Sequence, residues 1–299
     1  MGYKVEETLM AGSLPGDLLP HLLYREVQEG TAKRITFLEG AEITYELRGA
    51  VGTKISVPYV SATFTGTAIS ESNLNTSAYT PTDLTILDTD VTIGNQVYVA
   101  WRLSDILLED QPKYNWFRIS FRKAGQAIEE YRDSAVRDVL LAGAGNSRAA
   151  ATFGTLDDAD ITRLVAQHKV DSWYPEDYPY ASAPLLYLHA DQEADLILDT
   201  TFIDTMRFAV GDITKLQNPA QALYKGLRPR VSDNMTDALA LIVFPPHPKW
   251  GTTFLHAIKR PLTLKTEREE LYGRQLWVAS MRYGQSVLQA NAIGLISAC

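Results

Sequence analysis

The stretch NWFRISFRKAGQAIEEYRDSAVRDVLL, residues 115–141, carries the strongest helical pattern in the chain. Its apolar side chains recur at intervals of three and four residues, which is the spacing of one face of an α-helix. With a rise of about 1.5 Å per residue, such a helix would measure roughly 40 Å, long enough to run along a whole domain. The pattern therefore predicts one long helix that organises the fold. The residues on its apolar face are Phe117, Phe121, Ala124, Ile128, Tyr131, Ala135 and Val139.

The opposite face of this helix is charged, with both signs mixed. One interpretation is a solvated face with ion pairs between residues four apart, such as Asp133 and Arg137, each worth about 0.3–0.5 kcal/mol. The other interpretation is a contact surface for a second subunit, with Arg122, Glu129 and Arg132 as the candidate residues. The pattern alone leaves both open. The charged residues are Arg118, Arg122, Glu129, Glu130, Arg132, Asp133 and Arg137.

A strand-rich segment precedes the long helix. Alternating apolar residues at 54–59 and at 84–101 enclose a stretch, 64–77, that is dominated by Thr, Ser, Asn, Gly and Ala. This predicts a two-stranded hairpin that leaves the body, and its polar tip has too few apolar side chains to form a core, so we expect support from outside the subunit. Residues 55–101 contain neither lysine nor arginine. The candidate contact residues at this tip are Phe64, Thr67, Glu71 and Tyr79.

The chain after the long helix contains both helical and strand patterns. A capped helix begins near residue 158, and a second helix begins at Asp191 after a buried strand. Together with the strands, these elements predict an α+β fold. The predicted strands are 184–189, 227–231, 239–244, 261–268 and 275–283, followed by a short strand pair within 287–296, and 201–225 is predicted to be a long irregular segment.

The composition excludes several classes of protein. The formal net charge is −8, which argues against a dedicated nucleic-acid-binding surface. Cys299 is the only cysteine, which excludes an intrachain disulfide and a four-cysteine zinc site. The first residues lack the pattern of a signal peptide, and no apolar run approaches the roughly 18 residues that a membrane span needs. We therefore expect a protein that is made in the cytoplasm and has no membrane partner.

Two short motifs carry residues with chemical potential. His189 is followed by carboxylates at 191, 193 and 195, which are ligand types that a metal ion accepts, although acids in the first turn of a helix are the stronger explanation. The glycines within 143–146 follow a helix, whereas a phosphate-binding loop follows a strand, so they are predicted to cap the helix. No serine-nucleophile elbow, zinc-protease motif or P-loop occurs in the sequence. We expect no enzymatic activity and no cofactor or metal, and a metal-dependent α/β enzyme is the alternative from a different class.

The order of these parts resembles that of a known family. GTKISVP at 52–58, followed by GTAISE at 66–71, is similar to a passage at the extended loop of that family, and RYGQSVLQANAI at 282–293 is similar to its C-terminal motif. With the long helix between them, the chain resembles the major capsid protein of tailed viruses, which has the Hong Kong ninety-seven-type fold. Encapsulins, the shell proteins of cellular nanocompartments, share this fold. The resemblance covers nearly the whole chain.

The resemblance implies a division of the chain into the parts of a capsid protein. An axial domain would span 155–261, and within it the irregular segment 201–225 would point toward the symmetry axis of a capsomer. An extended β-hairpin loop would span 52–102. The remaining parts would be an N-terminal arm with a short helix, 1–34, and a peripheral domain built from 35–51, from 103–154 with the long spine helix, and from the return strands of 262–299.

The function implied by the resemblance is structural. Copies of the chain would assemble into pentamers and hexamers, and these into the icosahedral capsid of a bacteriophage virion that encloses double-stranded DNA, with non-specific DNA contact on the inner surface. Portal, scaffold or cement proteins would be further partners, and scaffolding would come from a separate protein or from a prosegment already removed. An encapsulin-type shell remains the alternative.

The resemblance also bears on how the shell would be held together. Some relatives cross-link a loop lysine to an asparagine of a neighbouring subunit. Here Lys54 lies at the base of the loop and no lysine follows it within the loop. A non-covalent shell, or one held by a cement protein, is therefore expected.

Overall fold

The computed structural model describes residues 36–46, 48, 52–60, 86–105, 116–179, 182–198, 224–247, 251–297 and 299. These residues include three α-helices, α1 (Trp116–Ala142), α2 (Asp158–Val170) and α3 (Ala190–Leu198). The long helix predicted at 115–141 is confirmed by α1, and the two shorter helices lie where the sequence predicted them.

The strands within the described residues are β1 (Glu42–Thr44), β2 (Lys54–Val60), β3 (Ile86–Thr92), β4 (Asn95–Ser104), β5 (Asn146–Ala149), β6 (Leu185–Leu188), β7 (Arg228–Val231), β8 (Leu239–Val243), β9 (Phe254–Glu269), β10 (Arg274–Val287) and β11 (Ile293–Ser297). One sheet has the order β1-β9-β10-β4, a second has the order β5-β11-β8-β6-β7, and β2 and β3 form a separate two-stranded ribbon. Strands β9 and β10 form one long antiparallel hairpin, called the arm below. The predicted α+β class is confirmed.

The helix α1 packs against both larger sheets along its length. Near its start, the ring of Phe121 makes edge-to-face contacts with Trp101 and Trp277, with ring centroids 4.9 and 5.0 Å away. Such aromatic pairs add about 0.5–1.5 kcal/mol each beyond the burial of their area. Near its end, Val136 and Leu140 belong to the buried cluster on the five-stranded sheet. One helix therefore ties the two sheets into a continuous core.

The buried face of α1 differs from the one that the apolar spacing predicted. Tyr131, predicted to face the core, is 62% exposed, whereas Glu129 and Arg132 are only 5% and 7% exposed and Asp133 is fully buried. The prediction that these three charged residues lie on an outer face is therefore wrong. The physical reason is that each charge has a partner inside the subunit, which offsets the cost of desolvation. Arg132 Nη2 lies 2.8 Å from Glu129 Oε2.

Asp133 anchors the segment that precedes β1. Its Oδ1 accepts hydrogen bonds from the backbone N–H groups of Thr36 (3.0 Å) and Phe37 (2.9 Å), at the start of the 3-10 helix Phe37–Gly40. Its Oδ2 accepts a hydrogen bond from the side-chain amide of Asn234 at 3.2 Å. The carboxylate thus satisfies N–H groups that have no partner within their own helix. A single buried side chain joins three distant parts of the chain.

The ribbon keeps one face against the subunit. Ile55 pairs across the strands with Val91, and Val91 is buried with Leu255 and Ala257 of β9. The predicted extended loop, 52–102, is longer than this ribbon, because β4 pairs with β10 over its whole length instead of with β3. The base of the hairpin is therefore part of the core.

The five-stranded sheet gathers strands from distant parts of the sequence. In it β11 lies between β5 and β8, so strands from the predicted peripheral segments 103–154 and 262–299 join those of the predicted axial segment, 155–261. The boundary predicted after residue 261 also falls inside β9. The predicted domains do not coincide with the sheets, and their names stay predictions.

The end of the chain departs from the predicted strand pair at 287–296, which is wrong. Strand β10 continues to Val287, and after the 3-10 helix Ala290–Ala292 a single strand, β11, follows. Gly143 and Gly145 also act differently from the predicted helix cap, since neither has a positive φ. A Cβ at Gly143 would stand 2.9 Å from the Cβ of Val287, so this glycine is needed for close packing.

Gly284 of β10 lies where two backbone segments approach closely. A Cβ there would stand 2.8 Å from the Cα of Ile93 and nearer still to the carbonyl oxygen of Thr92. We expect Gly284→Ala to lower the free energy of unfolding by roughly 2–3 kcal/mol, because backbone atoms cannot move aside as a flexible side chain can. Gly94→Ala is the matched control, since nothing lies within 4 Å of a Cβ at that position. Equal urea midpoints for the two variants would contradict this packing.

Candidate functional site

The arm ends in an exposed apolar turn. The turn consists of the 3-10 helix Glu270–Tyr272 and Gly273, which has a left-handed backbone with φ of 54°, and it is called the arm tip below. Leu271 is 95% exposed and Tyr272 is 68% exposed. Large apolar side chains at the end of a projecting hairpin favour a protein–protein contact surface over an isolated subunit surface.

Charged residues hold the arm tip in place. Arg102 of β4 pairs with Glu269 at 3.1 Å, Glu269 also pairs with Arg274, and Arg268 pairs with Asp105 at 3.0 Å. The hydrogen bond from Arg274 is the largest influence that holds the pKa of Glu269 below its usual value. Exposed pairs contribute little stability one by one, about 0–1 kcal/mol each. Together they connect the arm tip to β4, so that Leu271 and Tyr272 are presented in a defined position.

The outer face of the ribbon is polar and acidic. Ser56, Pro58 and Asp88 are exposed on it, and Asp90 accepts a 2.8 Å hydrogen bond from Lys54, which raises the pKa of the lysine. Lys54 is the only cation of the two strands. The ribbon therefore continues the absence of lysine and arginine that marks residues 55–101 in the sequence.

The outer surface of α1 is basic and partly apolar. Arg122 and Lys123 are exposed, and so are Ile119 at 40% and Tyr131 at 62%. This surface offers positive charge together with apolar area, which is complementary to an acidic segment with few aromatic or aliphatic side chains. We call these four residues the α1 outer surface.

The candidate site residues from the sequence fall into three groups. Arg122 lies on the α1 outer surface, whereas Glu129 and Arg132 are buried against the sheet and are not accessible to a second subunit. The four loop candidates lie outside the described residues, as does the predicted tip at 64–79. Leu271 and Tyr272 were missed, although two apolar residues beside a glycine in a predicted turn are the signal that could have found them. The four loop candidates are Phe64, Thr67, Glu71 and Tyr79.

The residues considered for metal or nucleotide chemistry do not form a site in the described part of the chain. His189 Nδ1 lies 3.2 Å from Asp191 Oδ2, but no group of three His, Cys, Asp or Glu residues there is arranged to hold a metal ion. The glycines near residue 145 face Val287 and Ala290. No described helix is both long enough and apolar enough to cross a membrane.

Comparison with known proteins gives no match to a protein-family model or to a curated protein. Solved structures do match. The capsid of cyanophage P-SCSP1u has a TM-score of 0.65 at 13% identity, and the match covers 99% of this chain and 95% of that chain. The chain has the Hong Kong ninety-seven-type capsid fold. Its long helix is the spine of that fold.

Two further structures extend the comparison of this capsid fold. A chain of Mycobacterium phage Che8 has a TM-score of 0.65 at 14% identity, covering 89% of this chain and 92% of its own. A virus-like particle from Pyrococcus furiosus has a TM-score of 0.61 at 13% identity, covering 93% and 99%. At these identities the likeness establishes the capsid fold and nothing further about the chain.

Proposed function

We propose that the chain is a major capsid protein that self-assembles into the icosahedral shell of a tailed bacteriophage and encloses double-stranded DNA. The observation that carries this proposal is the agreement with a cyanophage capsid over 99% of this chain and 95% of that one. An enzymatic role has no support, because the motifs expected for one are missing from the sequence. The protein would act in the virion, after assembly in the host cytoplasm.

The same proposal assigns roles to the parts of the subunit. The sheet of β1, β9, β10 and β4, together with α1, would form the peripheral domain, and the five-stranded sheet would belong to the axial domain. The segment 201–225 would then face the symmetry axis of a pentamer or hexamer. Portal, scaffold and cement proteins are the expected further partners, and DNA would contact the inner surface without sequence specificity.

We further propose that the extended loop of one subunit lies over the α1 outer surface of its neighbour. The loop residues 55–101 carry four acids, Glu71, Asp83, Asp88 and Asp90, and no cation. The α1 outer surface supplies Arg122, Lys123 and the exposed ring of Tyr131. Opposite charge and shared apolar area favour this contact, which replaces the earlier candidates Glu129 and Arg132 by residues that a neighbour can reach.

An encapsulin-type compartment is the second candidate, since a virus-like particle from Pyrococcus furiosus shares the fold. The two candidates differ in what the shell contains. Shells purified from the natural source should contain double-stranded DNA of uniform length if the chain is a phage capsid protein. A protein cargo without such DNA would favour the compartment.

The arm tip provides a direct test of assembly. We expect the double variant Leu271→Ser/Tyr272→Ser to raise the protein concentration needed for assembly by at least about tenfold, because burial of one such side chain is worth about 1.5–3 kcal/mol. The melting temperature of the unassembled subunit should not fall, since both side chains are exposed in it. Light scattering against concentration measures the first effect. Lys265→Ser, an exposed change on the same arm, is the control, and equal assembly of both variants would contradict the role of the tip.

A further inference from the structure

A layer of polar side chains is buried between α1 and the arm. His256 of β9 and Tyr283 of β10 are fully buried, and their rings lie 5.0 Å apart. Glu129 and Arg132 cover them from α1, and Gln285 lies beside His256 in the pairing of β9 with β10. The layer is unusual, because apolar residues fill the rest of the contact between this helix and the sheet. We call these five residues the polar seam.

Several atoms of the polar seam make no hydrogen bond of ordinary geometry. They are both ring nitrogens of His256, the hydroxyl of Tyr283, Nε of Arg132 and Oε1 of Gln285. The remaining groups are engaged, since Arg132 reaches Glu129 and the Sδ of Met281, and Gln285 donates to the carbonyl of Ala135. Buried polar atoms without partners destabilise the arrangement that contains them. The surrounding apolar contacts, rather than the seam itself, therefore hold α1 on the arm.

The charges around His256 oppose its protonation. Burial first, and then the cation of Arg132, lower the pKa of His256 to about 3. Burial raises the pKa of Glu129 above its usual value, against the effect of Arg132, and raises the pKa of Tyr283 to about 12. On β1, Ile43 is the residue paired with His256, and Glu42 is bonded to Thr252. The fixed positive charge that faces the imidazole is Arg132.

We propose that the polar seam is an acid-sensitive latch: a proton on His256, placed opposite Arg132, releases α1 from the arm. Two cations would then share a buried layer in which the imidazole has no acceptor to bind, and hydration of His256 requires the helix to move away. Because α1 spans both larger sheets, its release would change how the two sheets sit on each other. This inference rests on the fold alone and holds whether or not the chain forms shells.

The direction of the pH dependence follows from linkage. When α1 is released, His256 is hydrated and binds a proton below its ordinary value of 6.5, whereas in the closed layer it does so only below about 3. The closed layer is therefore fully favoured above pH 6.5 and loses stability progressively as the pH falls from there toward 3. At about pH 4.5 the equilibrium should have shifted toward release by about 100-fold.

Hydrogen exchange followed by mass spectrometry tests the latch in the full-length, unassembled protein. We expect peptides from α1 to lose about 100-fold of their protection between pH 7.5 and 4.5, after correction for the intrinsic exchange rate. His256→Phe, which keeps a ring against Tyr283 but cannot be protonated, should lose almost none. Tyr283→Phe leaves the imidazole in place and should respond as the wild type does. Unchanged α1 protection in the wild type, an equal loss in His256→Phe, or no loss in Tyr283→Phe would each overturn the proposal.

A second measurement covers the case in which His256→Phe does not fold. The imidazole protons of the wild-type protein can be followed by nuclear magnetic resonance through the same pH range. We expect His256 to become protonated only together with the loss of α1 protection. A His256 that titrates near pH 6.5 while α1 stays protected would overturn the latch. His168, equally buried but placed in α2 with its pKa lowered to about 4, serves as the internal reference because α1 does not cover it.

Discussion

Deletion of residues 64–79, with the ribbon closed by Asn-Gly, is expected to abolish shell formation while leaving the subunit folded. The deleted residues include only four sizeable apolar side chains, and the base of the ribbon already has its own support on the core through Val91 and Ile93. The tip can therefore add little to the subunit. Repeated over the many copies of a shell, the same side chains make a weak contact decisive. They are Phe64, Ile69, Leu74 and Tyr79.

Two measurements separate the halves of this prediction. Circular dichroism and thermal melting report on the fold of the deletion variant, and sedimentation velocity reports on its assembly. Loss of the folded signal would mean that the tip belongs to the core. Normal shells from the variant would mean that the loop is not part of the assembly contact. A variant in which the Ser and Thr residues of 64–79 are exchanged for one another, with the length unchanged, controls for the manipulation itself.

Replacement of Asp133 by alanine is expected to lower the free energy of unfolding by roughly 3–5 kcal/mol. The substitution leaves the N–H groups of Thr36 and Phe37 and the amide of Asn234 without their shared acceptor in a buried place. The segment that contains the 3-10 helix Phe37–Gly40 would then lose its anchor to α1. Urea denaturation of the full-length, unassembled protein measures the effect.

Two control variants sharpen the Asp133 prediction. Asp133→Asn keeps an acceptor oxygen and should lose clearly less stability than Asp133→Ala. Asp138→Ala changes an exposed carboxylate on the same helix, whose side chain is 63% exposed, and should change the unfolding free energy by less than about 0.5 kcal/mol. If Asp133→Ala is as stable as Asp138→Ala, the anchoring role is contradicted.

The sequence predicts best those elements whose pattern is local. The 27 residues of α1 and the fully buried strand β6 follow from apolar spacing alone, because hydrophobic period and element length agree there. The buried face of α1 could not be predicted in the same way. Counting apolar residues assigns Glu129 and Asp133 to the solvent, whereas their partners, Arg132 and the backbone at Thr36, make burial acceptable.

Long-range pairing is the part of the fold that the sequence did not predict. Strand β5 gives no sign that it will pair with β11, nearly 150 residues later, since parallel pairing leaves no local turn signal. The arm tip is similar, because the exposure of Leu271 depends on the three-dimensional course of β9 and β10. By contrast, the cation-free loop and the basic surface at Arg122 were both visible in composition. Their proposed contact is a prediction about two subunits rather than one.

Electron microscopy of the overexpressed protein in negative stain tests the central proposal most directly. We expect closed icosahedral shells of uniform diameter, or five- and six-membered rings where a scaffold is lacking, and we expect both to vanish in the variant that lacks 64–79. Particles that stay monomeric at every concentration and ionic strength tried, with the fold intact by circular dichroism, would contradict the proposal that this chain builds a capsid.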